Sequence, residues 1–485
     1  MFSTHAFKRS LKHMLLSSVM VGALALAINP ASAQTASKAQ VDALEQQLQQ
    51  LQQQLQAMKD QVNTTQTQVK KVTDDSASLP KVTFANGRPG WVSADGQNSI
   101  QLTGRMHFDM ADYASVSRSG TNQSLQSGVN VRRARIGVLG KVAGDWNYAF
   151  IGDFGGTSDG AQTSNIEDAH ISYNGFRPIG IDLGYTDVPW TLGEATSSND
   201  IMFMERSSAQ VIATQFGGGD GRSELGVHSN NNDYWIGGFL TGPTAGATHT
   251  GSSSAFAELA RGTYQVYTGD NNTSVHLGVN AANTAHAQGH QLTLSDRPEL
   301  RVDTQTFLTT TAMNVDSGNV LGLEGAATYG NFYVDGEYFH YNVNQFATTT
   351  APAPDLGFDG GYVEASYSFG GRRKYNPGNG AYTGVIPDHP MDSSLSSLGA
   401  LELAARYSVV DLNDGVTNGT SQTTTGGQFG GKQQTYALGL NWYPNTNIRF
   451  MLDYIHADVD KLGTNGVTPA NAHTDAIAAR AQFAF

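Results

Sequence analysis

Strict alternation of apolar and polar residues over many short segments is the feature that most constrains what this chain can fold into. In residues 99–110, Met106 and Met110 fall on one face of an extended strand, whereas Arg105 and Asp109 fall on the other. The same two-residue period recurs through most of the later sequence, between clusters of Gly, Asn, Asp and Thr. This pattern predicts a transmembrane antiparallel β-barrel, because one face of each strand then meets lipid and the other meets the lumen.

The composition agrees with an all-β transmembrane barrel. The mean hydropathy is −0.32, a value that such a barrel tolerates because only every second strand residue faces lipid. The chain has no cysteine, which excludes disulfides and Cys-ligated metal sites. Its net charge of −13 argues against nucleic acid as a partner.

Residues 1–33 have the pattern of a cleaved signal peptide. Three basic residues precede the apolar stretch Met14–Ile28, and Ala31-Ser32-Ala33 has the form of a signal-peptidase site. We therefore expect an exported protein that is located in the outer membrane of a Gram-negative cell.

Residues 34–80 are predicted to form a periplasmic coiled-coil segment and linker. Apolar residues recur at alternating steps of three and four from Val41 to Val72, and Thr65 is the one polar member of this seam. A single helix cannot bury such a seam, so the helix should pair with copies of itself, and a trimer is permitted. A disordered Gln-rich tract is the alternative, which the regular register disfavours.

Residues 91–485 are predicted to form the barrel. We count sixteen or seventeen strands, and residues 251–311 are the least clear. Both ends of the chain should lie on the periplasmic side, which requires an even number of strands. Sixteen strands would enclose an aqueous lumen. The last strand carries an aromatic face that ends at Phe485, and we expect the barrel-assembly machinery to bind it.

Several segments resemble the phosphate-selective porin O/P family. They occur in family order and span nearly the whole predicted barrel: Val131–Gly156, Ile166–Gly175, Ile181–Ser207, Gly399–Asp414 and Leu438–Asp460. The resemblance implies a sixteen-stranded, homotrimeric outer-membrane porin that lets small hydrophilic solutes and ions diffuse passively, including anions such as phosphate or polyphosphate. It also implies that the third extracellular loop, here around 188–207, folds into the lumen as a constriction.

Two groups of charged residues are therefore candidates for the ion path. The constriction loop contributes Glu194, Asp200, Glu205 and Arg206, and the lumen wall contributes Arg105, Arg133, Arg135 and Lys141. A row of guanidinium groups offers forked donors to phosphate oxygens at several weak sites. The alternative is structural, with the arginines paired to wall carboxylates such as Asp153. Arg132, out of phase with its neighbours, and Arg372–Lys374 are expected at solvated rims.

Other functions remain open. The chain has no lysine between Lys141 and Lys374, so a general non-selective or cation-leaning porin that also anchors the envelope through its coiled coil is an equal alternative. No H-E-x-x-H motif is present. We therefore expect no catalytic residue, no cofactor and no metal site.

Overall fold

The computed structural model describes residues 37–85, 87–119, 125–156, 165–217, 221–244, 255–347 and 352–485. The predicted signal peptide, residues 1–33, lies outside these described residues. The chain divides into two compact units, residues 1–77 and 78–485.

The described part of the first unit is one long helix, α1 (Lys38–Ala77). Its apolar seam is open to solvent, as Leu48 at 58% and Leu51 at 65% exposure illustrate. No helix within the described ranges combines the length and apolar character needed to cross a bilayer.

The second unit is a closed antiparallel barrel, and within the described residues it has sixteen strands, which confirms the predicted fold class and strand number. In chain order the strands are β1 (Ser99–Arg118), β2 (Gly128–Val142), β3 (Trp146–Asp153), β4 (Asn165–Phe176), β5 (Ile179–Thr186), β6 (Arg222–Asn230), β7 (Tyr234–Thr244), β8 (Phe256–Gly269), β9 (Thr273–His286), β10 (Met313–Tyr329), β11 (Phe332–Gln345), β12 (Leu356–Phe369), β13 (Ala400–Asp414), β14 (Gln428–Tyr443), β15 (Ile448–Asp460) and β16 (Ala472–Ala484).

Pairing between β16 and β1 closes the barrel and removes its free edges. The register runs from Ala472 opposite Arg118 to Ala484 opposite Arg105. The alternating apolar and polar residues of each strand form the outer surface and the inner surface of the barrel. On β1, Met106 is 45% exposed on the outer surface, whereas His107 is fully buried inside. Such an outer apolar band is stable only in contact with lipid.

A short hairpin precedes the barrel and was not predicted. Its strands are Lys81–Ala85 and Arg88–Val92. The second strand pairs with the first residues of β1, with Val92 opposite Ser99. The strand Arg88–Val92 therefore pairs with the start of β1, which extends past the end of β16.

The two rims of the barrel differ. At one, the short-turn rim, most connections are brief, and the predicted turn Gly330-Asn331 joins β10 to β11 directly. Gly330 has a φ of +61°, which a side chain would disfavour. Aromatic pairs such as Trp146 and Tyr173, whose ring centroids are 4.6 Å apart, mark this rim as a membrane interface.

Long connections contain further short elements. The helices are α2 (Leu192–Ala195), α3 (Ser208–Thr214), α4 (Gln422–Thr425) and the 3₁₀ turn Gln288–His290. The short strands are Gln291–Leu292, Ser295–Asp296, Leu308–Thr309, Gly371–Arg372, Tyr375–Asn376, Ala381–Tyr382 and Ile386–Pro387.

Candidate functional site

The connection between β5 and β6 lies inside the barrel. We call residues 187–217 the inward loop. Its helices α2 and α3 begin at Thr191 and Ser207, whose hydroxyls accept backbone N–H groups of the first turn. Trp190, Phe203 and Phe216 are completely buried. Burying such large apolar side chains against the strand wall stabilises the folded loop and fixes its position in the lumen.

Arginines of the barrel wall hold the backbone of the inward loop. Arg449 donates to the carbonyl oxygens of Ile201 and Met202, at 2.8 and 3.2 Å. Arg480 donates to the carbonyl of Met204 at 2.5 Å. These guanidinium groups satisfy carbonyls that would otherwise be buried without partners, which is costly.

Wall carboxylates accept the N–H groups of the same loop. Glu337 on β11 accepts from Leu192 and Gly193, at 2.8 and 3.0 Å. Asp453 on β15 accepts from Met204 at 2.8 Å. The loop is therefore bound by two wall strands that do not pair with each other.

Glu205 lies at the centre of a buried cluster of arginines. Its carboxylate is 3.0 Å from Arg132 Nε, 3.9 Å from Arg133 Nη1 and 2.9 Å from Arg480 Nη2. Arg480 also binds both oxygens of Asp109, at 2.6 and 2.7 Å. Burial alone would raise the pKa of Glu205, but the guanidinium groups of Arg132, Arg133 and Arg480 hold it well below its usual range.

The prediction that Arg132 lies at a rim is wrong. A β-bulge between β1 and β2 places Arg133 opposite His107 and Val131 opposite Phe108, so Arg132 is the extra residue. The bulge breaks the alternation locally and turns two consecutive arginines toward the lumen.

The four predicted wall residues have different surroundings. Arg133 is only 1% exposed and lies in the Glu205 cluster. Arg135 binds Glu167 and also Asp153, the latter at 2.8 Å. Arg105 donates to the hydroxyls of Ser198 and Ser197 in the inward loop, at 2.5 and 3.2 Å. Lys141 lies near the short-turn rim, opposite Ser99.

Of the other predicted loop residues, Arg206 pairs with Glu194, and Asp200 contacts the connection 370–399. Arg206 lies 3.6 Å from Glu194 and donates to the carbonyls of Gly193 and Thr196. Asp200 is held near Gly384, and burial raises its pKa. The four predicted loop residues thus do not form one ring.

A cavity of about 780 Å³ lies between the inward loop and the short-turn rim. Charged residues of both signs line it: Arg88, Arg105, Arg135, Arg206, Arg449, Glu167, Asp168, Asp187, Glu194 and Asp200. Arg105 and Arg135 face each other across the β1–β2 pair. The cavity brings two of the four predicted wall residues together with three of the predicted loop residues.

Two further connections fold inward and were not predicted. Residues 287–312 place Glu299 against Arg406 of β13, at 2.5 Å. Residues 370–399 start from the short-turn rim and place Arg373, 3% exposed, against Glu402 at 2.6 Å. The expectation that Arg373 lies at a solvated rim is therefore wrong. Nothing in its local sequence indicates the distant carboxylate that holds it.

Comparison with known proteins agrees with this architecture. The family described as Phosphate-selective porin O and P matches residues 100–485. Porin O of Pseudomonas aeruginosa is 24% identical over 436 residues, which cover 85% of this chain and 94% of the relative. An uncharacterized protein of Caulobacter vibrioides is 24% identical over 397 residues, 78% of this chain and 72% of the relative.

Solved structures of similar architecture have low sequence identity. The anion-selective porin from Comamonas acidovorans is 15% identical, with a TM-score of 0.49 over 80% of this chain and 100% of that chain. The outer membrane channel DcaP of Acinetobacter baumannii is 14% identical, with a TM-score of 0.48 over 80% of this chain and 97% of that chain. From the family match and the closed barrel, the chain is an outer-membrane porin that belongs to the phosphate-selective porin O and P family.

Proposed function

We propose that this porin passes small hydrophilic solutes and inorganic ions by diffusion, with a weak preference for anions such as phosphate or polyphosphate, and that it catalyses no reaction. The observation that carries the proposal is the charge balance of the cavity, whose lining has five arginines and five carboxylates. A lining of mixed sign offers ions several weak contacts and no deep trap, which conduction requires.

The weak anion preference rests on two arginines that donate hydrogen bonds to neutral groups. Arg105 donates to serine hydroxyls, and Arg449 donates to backbone carbonyls. By contrast, Arg135 is paired with Asp153 and Glu167. Arg105 and Arg449 therefore contribute positive charge at the cavity that no directly bonded carboxylate among the described residues cancels. The phosphate selectivity named for the family favours the same sign.

Reconstitution tests the passive channel. Purified protein in planar bilayers should give stable single-channel steps in KCl, and proteoliposomes should swell in solutions of small sugars. The solute-size cutoff should correspond to a passage narrowed by the inward loop. Absence of both conductance and swelling would contradict the proposal.

We also propose that three copies assemble, with α1 forming a periplasmic coiled coil. The seam residues of α1 are exposed, for example Leu51 at 65%, and their heptad spacing suits self-association. Leu51→Lys should lower the temperature at which the full-length oligomer dissociates on a gel, whereas Gln53→Lys, off the seam, should leave it unchanged. Equal behaviour of the two variants would contradict the coiled coil. Anchoring of the envelope by α1, and binding of the β16 aromatic face including Phe485 by the barrel-assembly machinery, are further proposals.

A further inference from the structure

Two short motifs of the same form meet on the outer surface of the barrel. His456-Ala457-Asp458 lies near the end of β15, and His473-Thr474-Asp475 lies near the start of β16. Because the strands are antiparallel, His456 lies opposite Asp475 and Asp458 lies opposite His473. Residues two apart share a face of a strand, so the four side chains form a square near the rim opposite the short-turn rim.

Each carboxylate in this square contacts both imidazoles. Asp475 Oδ1 is 2.8 Å from His456 Nδ1, and Asp475 Oδ2 is 3.0 Å from His473 Nε2. Asp458 contacts the two remaining ring nitrogens, at 3.0 Å for His456 Nε2 and 2.7 Å for His473 Nδ1. The imidazole centroids are 4.9 Å apart.

We propose that His456 Nδ1, His473 Nε2 and the Asp475 carboxylate bind a divalent transition-metal ion of the Zn²⁺ type. Their ligand atoms all lie within 4.8 Å of one another. Zinc bonds to nitrogen and oxygen are about 2.0–2.2 Å long, so two ligand atoms on a tetrahedral ion are separated by roughly 3.3–3.6 Å. A small opening of the present 2.8 and 3.0 Å contacts would admit the ion.

Asp458 is placed to orient the ligands. By accepting the N–H of His456 Nε2 and of His473 Nδ1, it favours the tautomers in which the two nitrogens facing Asp475 are free to bind metal. A carboxylate that accepts the second N–H of a ligating histidine is a common support of zinc sites. Ser115 and Tyr454 donate to Asp475 at 2.5 and 2.7 Å and hold its carboxylate in place.

The chemistry of the donors selects the class of metal. Imidazole nitrogen with carboxylate oxygen suits Zn²⁺, Cu²⁺ and Ni²⁺, whereas Mg²⁺ and Ca²⁺ favour oxygen alone. The site is also accessible, since the Asp458 side chain is 55% and the His473 side chain 33% exposed. An ion can therefore enter from the outer surface, and a water molecule can complete its coordination.

Titration calorimetry of the untagged, full-length porin with Zn²⁺ tests this site. One Zn²⁺ should bind per chain, and Co²⁺ should give the absorption bands of a four-coordinate ion. His456→Ala and His473→Ala should each weaken binding by 100-fold or more. Asp458→Asn should weaken it by about 10- to 100-fold, as supporting residues of metal sites do.

His340→Ala is the matched control. His340 also lies on the outer surface and pairs with Asp359 at 2.8 Å. Within the described residues it does not belong to a group of three side chains that could bind a metal ion. Zn²⁺ binding should be unchanged in this variant, and unchanged conductance of each variant shows that it is folded. The inference is overturned if wild-type protein binds no Zn²⁺, if both histidine variants bind it normally, or if Mg²⁺ displaces it at equal concentration.

Discussion

Arg480 of β16 and Glu205 of the inward loop form a buried ion pair, with 2.9 Å between Nη2 and Oε1. The side chain of Arg480 is 0% and that of Glu205 6% exposed. The same guanidinium binds Asp109 on the neighbouring strand β1. The pair therefore links the seam at which the barrel closes to the loop inside its lumen. The closure of the barrel and the position of the loop should therefore depend on each other.

Glu205→Gln should destabilise the folded barrel. The substitution leaves Arg132, Arg133 and Arg480 without their shared carboxylate, and removing one partner of a buried ion pair costs about 3–5 kcal/mol. The free energy of unfolding in guanidinium chloride, measured in lipid vesicles, reports this loss. Asp95→Asn, the same change at an exposed carboxylate, is the control and should have no effect; equal stability of both variants would refute the role of Glu205.

Arg449→Gln should loosen the inward loop. The guanidinium of Arg449 donates to three loop carbonyls, and a glutamine is too short to replace all of them. We expect a larger and noisier single-channel conductance in planar bilayers. Arg177→Gln provides the matched control, because the Arg177 side chain is 79% exposed. A conductance trace that is identical in both variants would show that Arg449 does not anchor the loop.

Arg105→Gln should weaken the anion preference. Within the described part of the chain, the hydrogen bonds of Arg105 go to serine hydroxyls. The substitution therefore deletes a positive charge without leaving a carboxylate that had been hydrogen-bonded to it. The reversal potential in a KCl gradient should move toward the cation side. Arg372→Gln, at the short-turn rim, should leave it unchanged, and an unchanged value for Arg105→Gln would contradict the assignment.

Lower pH should increase the anion preference through Asp200. Burial raises the pKa of Asp200 above its usual value, so this carboxyl gains a proton earlier than exposed carboxylates as the pH falls from 7. Its loss of negative charge leaves Arg105 and Arg449 less compensated. Glu205, whose pKa is lowered, stays ionised over the same range.

Asp200→Asn isolates that effect. The variant should be more anion-selective than wild type at pH 7, and the difference between the two reversal potentials should shrink as the pH is lowered. A difference that stays constant from pH 7 to pH 4 would mean that Asp200 does not titrate in this range.

The sequence predicted the fold well because the barrel period is local. Alternation such as that around Met106 and His107 needs only neighbouring residues to be recognised, and lipid on one side makes the register strict. The heptad of α1 is local in the same way. The strand number followed from these periods together with the requirement for an even count.

The interior could be predicted only in part, because its contacts are distant in the sequence. Arg373 binds Glu402 of β13 and the carbonyl of Asp200, and Arg449 binds carbonyls of the inward loop. No periodicity in the sequence identifies these partners. Arg132 was misplaced because a single bulge reverses the facing of a residue. The charge balance of the cavity likewise depends on which loops fold inward, and only one of the three was expected, on the strength of the family resemblance.

The reversal potential of the purified porin in a planar bilayer under a KCl gradient, repeated with added phosphate, tests the central claim most directly. The balanced lining of the cavity predicts a small reversal potential on the anion side and no block of the chloride current by millimolar phosphate. A large reversal potential of either sign, or a current that phosphate blocks, would contradict the account of a weakly selective passage.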